Sequence, residues 1–334
     1  MKRIKFVLPL ITLVFIVFFS CSDDDDDGVI VIPPRERDEE AIVAQEEIEE
    51  FLETHFYNYE EFENPAPDFN YKIVFGEITG DNTSKTPLID QVLSKDVVDI
   101  FDENVTYKLY YLKVRQGEGD EITYPDIASM SYTGMFLSDL TVFDSSITPV
   151  RFDLTQVIDG LQAAIVEFNG ASDYVENADG TLTFMEYGIG SVFIPSGLGY
   201  FNTPPISTMP FYSQLIFNFY PYLIEKGDQD SDGILTIFED LDGDGLELND
   251  DTDGNGIPNF ADSDDDGDGR LTINEVVANE YVIFPGDSDP VLIENEVEMY
   301  RDTTDDETGE ITIYTIVFTD ANNDGTPDYL DDQL

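Results

Sequence analysis

The sequence has few of the side chains on which much enzyme chemistry depends. Its 334 residues include one cysteine, one histidine and no tryptophan, and 15 Lys and Arg face 72 Asp and Glu. A single cysteine excludes an intrachain disulfide. The one histidine, His55, ends an apolar helical stripe, where a structural role is expected rather than that of a catalytic base. The formal net charge of −57 excludes nucleic acid as a partner, because too few cations oppose the phosphates.

Residues 1–20 have the pattern of a secretory signal peptide. A short basic start precedes an apolar run that is too short to span a bilayer. The four residues that end at Cys21 resemble the lipobox of bacterial lipoproteins, with Phe18 where that motif usually has Leu or Val. The resemblance implies lipidation at Cys21 and a membrane anchor; the alternative is an ordinary signal peptide with a chance cysteine.

The acidic run over 23–27 follows the cysteine directly. Such a run is usually a solvated spacer. It is also similar to a signal that directs lipoproteins to the outer face of the outer membrane in some Gram-negative lineages. We therefore expect residues 21–37 to be an acidic tether, and the protein to be an outer-membrane lipoprotein of the cell envelope, either periplasmic or surface-exposed.

Residues 38–106 are predicted to form an extension of helical and mixed structure. Apolar residues recur at helical spacing over 38–57, which predicts an amphipathic helix with an acidic outer face. Residues 71–78 have the composition of a strand, and 87–101 are interpreted as a short helix with loops. The role of the extension stays open at this point.

Residues 107–224 show the pattern of an antiparallel sheet that wraps around one short helix. Stretches of alternating apolar residues, such as 128–136, are separated by turns, and a helix-like run occupies 161–168. An insertion over 169–186 contains Asp179-Gly180, a dipeptide typical of tight hairpin turns. The pattern predicts the α+β fold class.

Seven short motifs occur in this region in a fixed order. They are Tyr132-Thr133-Gly134, then 143–146, 149–152, 156–160, 193–196, Gly199-Tyr200 and 209–217. In order and approximate spacing, this third of the chain resembles the FKBP-type peptidyl-prolyl cis–trans isomerases. The resemblance implies an FKBP-like fold, polypeptides with X-Pro bonds as substrates, and no cofactor for catalysis.

The resemblance also implies which side chains form the pocket. It assigns catalytic positions to Tyr132, Phe143, Asp144, Val157, Ile158, Tyr200 and Phe217. It places Val150, Leu161 and Met209 in the substrate pocket. In the family pattern the Ile158 amide and the Tyr200 hydroxyl donate hydrogen bonds to substrate carbonyls. Leu161 stands where the family usually has Trp, and Val150 where it has an aromatic residue. No Arg is in place to pair with Asp144, so weaker catalysis or an altered preference for the residue before proline is expected.

Residues 225–334, here called the Asp-rich segment, are dominated by Asp, Gly and Asn. From Lys226 onward, 33 Asp and Glu face 3 Lys and Arg. Two stretches match the twelve-residue calcium loop at each key position. Carboxylates at positions 1, 3, 5 and 12 and a backbone carbonyl at position 7 supply the oxygen ligands that calcium prefers. The predicted ligands are Asp228, Asp230, Asp232, Ile234 and Glu239 in the first loop, and Asp264, Asp266, Asp268, Arg270 and Glu275 in the second.

Partial repeats of the same spacing surround these two loops. They contribute Asp240, Asp242 and Asp244; then Asp251, Asp253, Asn255 and Asp262; then Asp320, Asn322, Asp324 and Asp331. The series resembles thrombospondin type 3 repeats, which implies a unit built around structural calcium ions that successive loops share. The alternative is a disordered acidic tail. The regular spacing and the interleaved apolar residues favour a folded unit.

An active isomerase that assists the folding of exported proteins is the leading hypothesis. The reaction makes and breaks no covalent bond, and its barrier of about 18–20 kcal/mol reflects lost amide resonance. The shortage of His and Cys is therefore no objection. Two alternatives stay open: a catalytically weak chaperone that binds peptides, and a calcium-dependent structural or adhesive surface lipoprotein.

Overall fold

The computed structural model of the chain describes residues 34–305 and 308–333. The predicted signal peptide, the predicted lipidation site Cys21 and most of the predicted tether lie outside the described residues. Within the described part of the chain, none of the helices combines the length and the hydropathy that a bilayer crossing requires.

The extension is built on one long helix. α1 (Arg37–Thr54) is followed by β1 (His55–Tyr57), α2 (Tyr59–Glu63) and β2 (Phe75–Glu77), and β1 pairs antiparallel with β2. The helix predicted over 38–57 is confirmed, but it ends at Thr54. Of the strand predicted over 71–78, only the residues of β2 pair.

His55 has the structural role that its position predicts. Its ring stacks on the ring of Phe51, with the centroids 3.9 Å apart, and its Nδ1 atom lies 3.1 Å from the Phe51 carbonyl oxygen. Burial lowers the pKa of the imidazole. The histidine therefore closes the end of α1 as a neutral aromatic group.

The short helix predicted over 87–101 is wrong. Leu88–Asp90 forms a single 3-10 turn, and β3 (Leu93–Asp99) then pairs antiparallel with the long strand β4 (Asp102–Arg115). Val97 and Val98 favour a strand because both are β-branched, and β4 supplies the backbone partners. The resulting hairpin turns at residues 100–101.

The central feature is a six-stranded antiparallel sheet, here called the main sheet. Its remaining strands are β5 (Ile127–Phe136), β6 (Val142–Asp153), β9 (Ile189–Ile194) and β10 (Leu215–Glu225), and the strand order is β3-β4-β9-β10-β5-β6. The helix α3 (Asp159–Ile165) packs against β9. The mixed architecture, mostly antiparallel with few helices, agrees with the predicted α+β class.

The central strands of the main sheet bury both of their faces. Along β4, Leu109 and Tyr111 point into the core that contains α3, while Tyr110 and Leu112 point into a second core under α1. The alternation follows from the two-residue period of a strand. It explains why all of β9 is buried, and it gives α1 a place that the sequence pattern alone did not reveal.

The insertion over 169–186 forms the predicted hairpin. β7 (Asp173–Glu176) pairs with β8 (Leu182–Met185), and the turn contains Gly180 at φ +82°. A positive φ at this position is a conformation that glycine adopts at little cost.

The Asp-rich segment is folded around a small core of its own. Turns of 3-10 helix, at Thr236–Phe238, Glu247–Asn249, Asn259–Ala261, Thr272–Asn274 and Asp328–Leu330, alternate with Asp-rich loops. A three-stranded sheet of order β11-β13-β12 is inserted, with strands β11 (Val276–Ile283), β12 (Glu296–Asp305) and β13 (Glu310–Phe318). Ile234, Leu235, Met299, Ile316 and Tyr329 form the core.

The Asp-rich segment contacts the turn over 124–126 that leads into β5 of the main sheet. Lys226 pairs with the buried Asp126 at 2.8 Å, and the Gln229 amide donates to the Pro125 carbonyl at 2.9 Å. The Tyr124 hydroxyl donates to Asp240 at 2.8 Å. These polar contacts fix the first loops of the segment beside the main sheet.

Candidate peptide pocket and cation sites

A cavity of about 620 Å³ opens where the start of α3 meets the main sheet. Seven of the ten positions implied by the FKBP resemblance line it: Tyr132, Asp144, Val157, Ile158, Leu161, Tyr200 and Phe217. Phe143 lies behind the lining and packs edge-on against Phe217, with centroids 5.6 Å apart. Residues separated by up to 85 positions in sequence thus meet at one site.

Val150 and Met209 lie outside this lining. Val150 pairs with Met130 along β6 and is 38% exposed, while Met209 is buried in the core that contains α3. Their expected place in the substrate pocket is therefore corrected. Val150 shares a sheet face with the buried Met130 but stays partly exposed on the edge strand β6, and Met209 is packed inside the core.

Aromatic rings form one wall of the cavity. The Tyr132 ring lies edge-on to Phe152 at 5.2 Å between centroids and stacks on Phe217 at 6.3 Å. A Cβ at Gly134 would lie 2.7 Å from the Phe143 ring, so glycine in the Tyr-Thr-Gly motif is what lets the rings approach β5. The wall offers apolar surface to a ligand in the cavity.

Two tyrosine hydroxyls remain protonated donors in the pocket. The Tyr132 hydroxyl donates to the Asp144 carboxylate at 2.7 Å. Burial, and then this carboxylate, raises the pKa of Tyr132 to about 12. Burial also raises the pKa of Tyr200. Among the described residues, no side chain or backbone group bonds the Tyr200 hydroxyl or the Ile158 backbone amide, so both can donate to a ligand.

The extension completes the pocket, which sequence reasoning missed. The Arg37 guanidinium lies between the rings of Phe101 and Phe201, 4.6 Å and 4.4 Å from their centroids. It also pairs with Asp99, which is 1% exposed and accepts a further hydrogen bond from the Tyr107 hydroxyl at 3.1 Å. No sequence signal marks Arg37, because its partners lie more than 60 positions away.

The Asp-rich segment brings carboxylates together in three groups whose candidate ligand atoms lie within 4.8 Å of one another. The groups are Asp230, Asp232, Glu239 and Asp265; Asp240, Asp242 and Asp250; and Asp264, Asp266 and Asp268. Gly233 and Gly269 both have φ of +95°, which is the sharp turn expected at loop position 6. Sequence reasoning missed Asp250, which lies outside both twelve-residue loops, and Asp265, which lies at position 2 of the second loop, where the pattern has no ligand.

The residues present fit a calcium ion. Ten Asp and Glu oxygens, distributed over Asp228, Asp230, Asp232, Glu239, Asp250, Asp264, Asp265 and Asp266, are buried with neither a hydrogen-bond partner nor an ion pair in the described chain. Buried carboxylates without partners are costly. A donor set made only of oxygen suits a hard cation such as calcium.

Several predicted ligands have other partners. Glu275, expected to close the second full loop, pairs with Arg270 at 3.0 Å. Asn255 donates to Asp262 at 2.7 Å, and Asn322 donates to Asp331 at 2.8 Å. In these partial repeats an amide occupies the place of a third carboxylate, so the loops close by internal hydrogen bonds. Asp244 likewise accepts from the Leu246 amide.

The fold and the site together define an α+β protein with an aromatic pocket on an antiparallel sheet and an acidic segment beside it. A family model described as BamM C-terminal matches residues 229–289. No curated protein matches the chain.

The solved structures that are similar to part of the chain include the following two. One is a peptidyl-prolyl cis-trans isomerase from Pseudomonas syringae pv. tomato str. DC3000, with 18% identity over 35% of this chain and 76% of that chain and a TM-score of 0.29. The other is FkpA from Escherichia coli, with 22% identity over 35% of this chain and a TM-score of 0.29. The matched region spans 48% of the FkpA chain.

Proposed function

We propose that the chain is an FKBP-type peptidyl-prolyl cis–trans isomerase that assists the folding of exported proteins at the cell envelope. The observation that carries this proposal is the convergence of Tyr132, Asp144, Ile158, Tyr200 and Phe217 on one cavity. At about 620 Å³ the cavity has room for a proline and its neighbours, since pockets of this size bind drug-sized ligands.

The pocket suits an amide that twists. The planar X-Pro amide is more polar than the twisted one, so a dry aromatic wall favours the twisted form. The free Tyr200 hydroxyl and the Ile158 amide would donate hydrogen bonds to the substrate carbonyls. The hydrogen bond from Tyr132 to Asp144 would hold the Tyr132 ring in place on the aromatic wall. Interactions that are stronger in the transition state than in the ground state accelerate the reaction. Lowering the barrier by about 7 kcal/mol would give roughly 10⁵-fold acceleration.

The proposed location rests on both ends of the chain. The basic and apolar start and the lipobox-like residues before Cys21 support export and lipidation. The match of residues 229–289 to the BamM C-terminal model supports a cell-envelope protein. The Asp-rich segment is proposed to bind structural calcium in the manner that its likeness to thrombospondin type 3 repeats implies.

The test is cis–trans exchange of short X-Pro peptides, with the full-length chain in detergent and calcium. The wild type is expected to accelerate exchange. The double variant Asp144→Ala, Tyr200→Phe should lose at least tenfold in kcat/KM, because it removes a bond that fixes the wall and a donor to the substrate. Circular dichroism should show that the variant keeps its fold.

A folded wild type that accelerates no peptide would exclude the isomerase. Peptide affinity retained without turnover would instead identify a chaperone, the alternative that Leu161 in place of the family's Trp favours. Neither affinity nor turnover, together with exposure at the cell surface, would leave a structural or adhesive lipoprotein.

The hairpin tip that carries Phe101 is expected to contact the residue beside the proline. Phe101 is 72% exposed and lines the cavity. The variant Phe101→Ala should lower kcat/KM about fivefold for peptides that have a bulky apolar residue beside the proline, because it removes roughly 1 kcal/mol of apolar contact. For peptides that have alanine at that position, kcat/KM should change little. The matched control is Phe211→Ala, which removes an exposed ring outside this cavity. Equal losses for both peptide types would contradict a contact at the tip.

A further inference from the structure

One acidic group draws its members from two loops that are distant in sequence. Asp230, Asp232 and Glu239 belong to the first calcium-loop match, whereas Asp265 belongs to the second. Their candidate ligand oxygens nevertheless lie within 4.8 Å of one another. In the second loop, the positions of the motif are filled by Asp264, Asp266 and Asp268, so Asp265 has no assigned role there.

The orientation of Asp265 is the second observation. The residue is 2% exposed, and both of its carboxylate oxygens lack a hydrogen-bond partner in the described chain. The same is true of Glu239, which is 1% exposed. A carboxylate on a loop of this composition would ordinarily point to water. Here two of them turn inward and face each other.

No basic side chain accounts for this arrangement. Among the described residues, the ion pairs of the Asp-rich segment involve Lys226, Arg270 and Arg301, and none of them reaches Asp230, Asp232, Glu239 or Asp265. Four carboxylates at this separation repel one another strongly in a buried site. A cation among these oxygens would offset the repulsion while the carboxylates keep their charge.

We propose that Asp265 joins Asp230, Asp232 and Glu239 in a single calcium site that links the first loop to the second, here called the shared site. All donors are carboxylate oxygens, which a hard cation prefers, and the set contains none of the nitrogen or sulfur ligands typical of zinc. This inference rests on the proposed calcium binding of the segment and specifies which loops one ion connects.

The shared site lies beside the core of the segment. Ile234, at the centre of the first loop, is fully buried in the same cluster as Tyr329 near the chain end. An ion at the shared site therefore holds together loops that are separately attached to this core. Loss of this ion should lower the number of bound calcium ions by one and should also weaken the contact between the two loops.

The test is the number of calcium ions bound per full-length chain, measured by equilibrium dialysis with calcium as the probe. Asp265→Asn should remove one ion or weaken one binding event at least tenfold, because it deletes a charged ligand but keeps the side-chain volume. Glu239→Gln should have the same effect. The double variant should lose no more ions than either single variant, because both residues bind one ion. Glu294→Gln, which removes an exposed charge from the same segment, is the control.

Unchanged stoichiometry and affinity in Asp265→Asn would overturn the shared site, and so would a double variant that loses two ions. A wild type that binds no calcium at all would overturn the calcium role of the whole segment. A loss accompanied by collapse of the β11–β13 sheet, seen by hydrogen exchange in excess calcium, would show that Asp265 supports the fold generally and would also overturn the site.

Discussion

Removal of calcium by a chelator is expected to unfold the Asp-rich segment while the main sheet stays folded. The segment has its own small core and many buried carboxylates. Among the described residues, the two larger cores of the main sheet contain none of the acidic groups that could hold a cation. A ligand present at 100 times its Kd stabilises the folded state by about 2.7 kcal/mol per site. The stabilising free energy lost with several sites at once would therefore exceed the free energy that a small core supplies.

Hydrogen exchange followed by mass spectrometry measures this directly. Peptides from 228–283 and 310–331 should lose protection in chelator, while peptides from β9 and β10 should keep theirs. Readdition of calcium should restore protection. Equal protection of the segment with and without chelator would show that its fold does not depend on a cation.

In chelator, the stability of the segment should also fall as the pH rises. Burial raises the pKa of Glu239 to about 10, of Asp265 to about 9 and of Asp230 to about 7. The folded state then holds protons that the unfolded chain releases near pH 4, so this stabilisation is lost as the pH increases through the raised values. The fraction of the metal-free segment that stays folded should therefore be larger at pH 5 than at pH 8, which circular dichroism in chelator measures. With calcium bound, the difference should shrink or reverse, because the carboxylates bind the ion in their charged form.

Substitution of Arg37 should destabilise the main sheet and its pocket strongly. Asp99 is almost fully buried, and Arg37 is its one cationic partner within the described chain. Removing one member of a buried pair costs about 3–5 kcal/mol, because the remaining charge is left uncompensated. Arg37→Ala also removes the group that lies between Phe101 and Phe201.

Urea unfolding in calcium measures the effect, and two variants calibrate it. Arg151→Ala breaks an exposed pair with Glu225 and should cost no more than about 1 kcal/mol. Asp99→Asn added to Arg37→Ala should recover part of the loss, since it neutralises the orphaned carboxylate. A cost for Arg37→Ala no larger than that for Arg151→Ala would mean that the pair contributes little.

Patterns within short stretches of sequence predicted the elements whose structure depends mainly on neighbouring residues. The α1 helix, the strands of the main sheet and the turn at Gly180 follow from periodicity and glycine conformation. The exception is β3, which was predicted as part of a short helix over 87–101, because its identity as a strand depends on pairing with β4 rather than on composition. The same limit hid the position of α1 on the second face of the main sheet.

The sites divide in the same way. Motif order brought out Tyr132, Asp144 and Tyr200, which the fold then gathers around one cavity. Arg37 and Phe101 reach the cavity from a segment with no motif, and Asp265 reaches its group from a neighbouring loop. Contacts of this kind depend on the three-dimensional path of the chain, so no spacing rule within one segment could reveal them.

The core of the Asp-rich segment joins its two ends. Ile234 and Leu235, near its start, pack in one cluster with Tyr329, near its finish, and β13 inserts between two strands that precede it. A ribosome makes the chain from the amino terminus, so this closure has to wait until Tyr329 has emerged. The main sheet, complete at Glu225, is available to fold first and to provide a surface on which the late segment assembles.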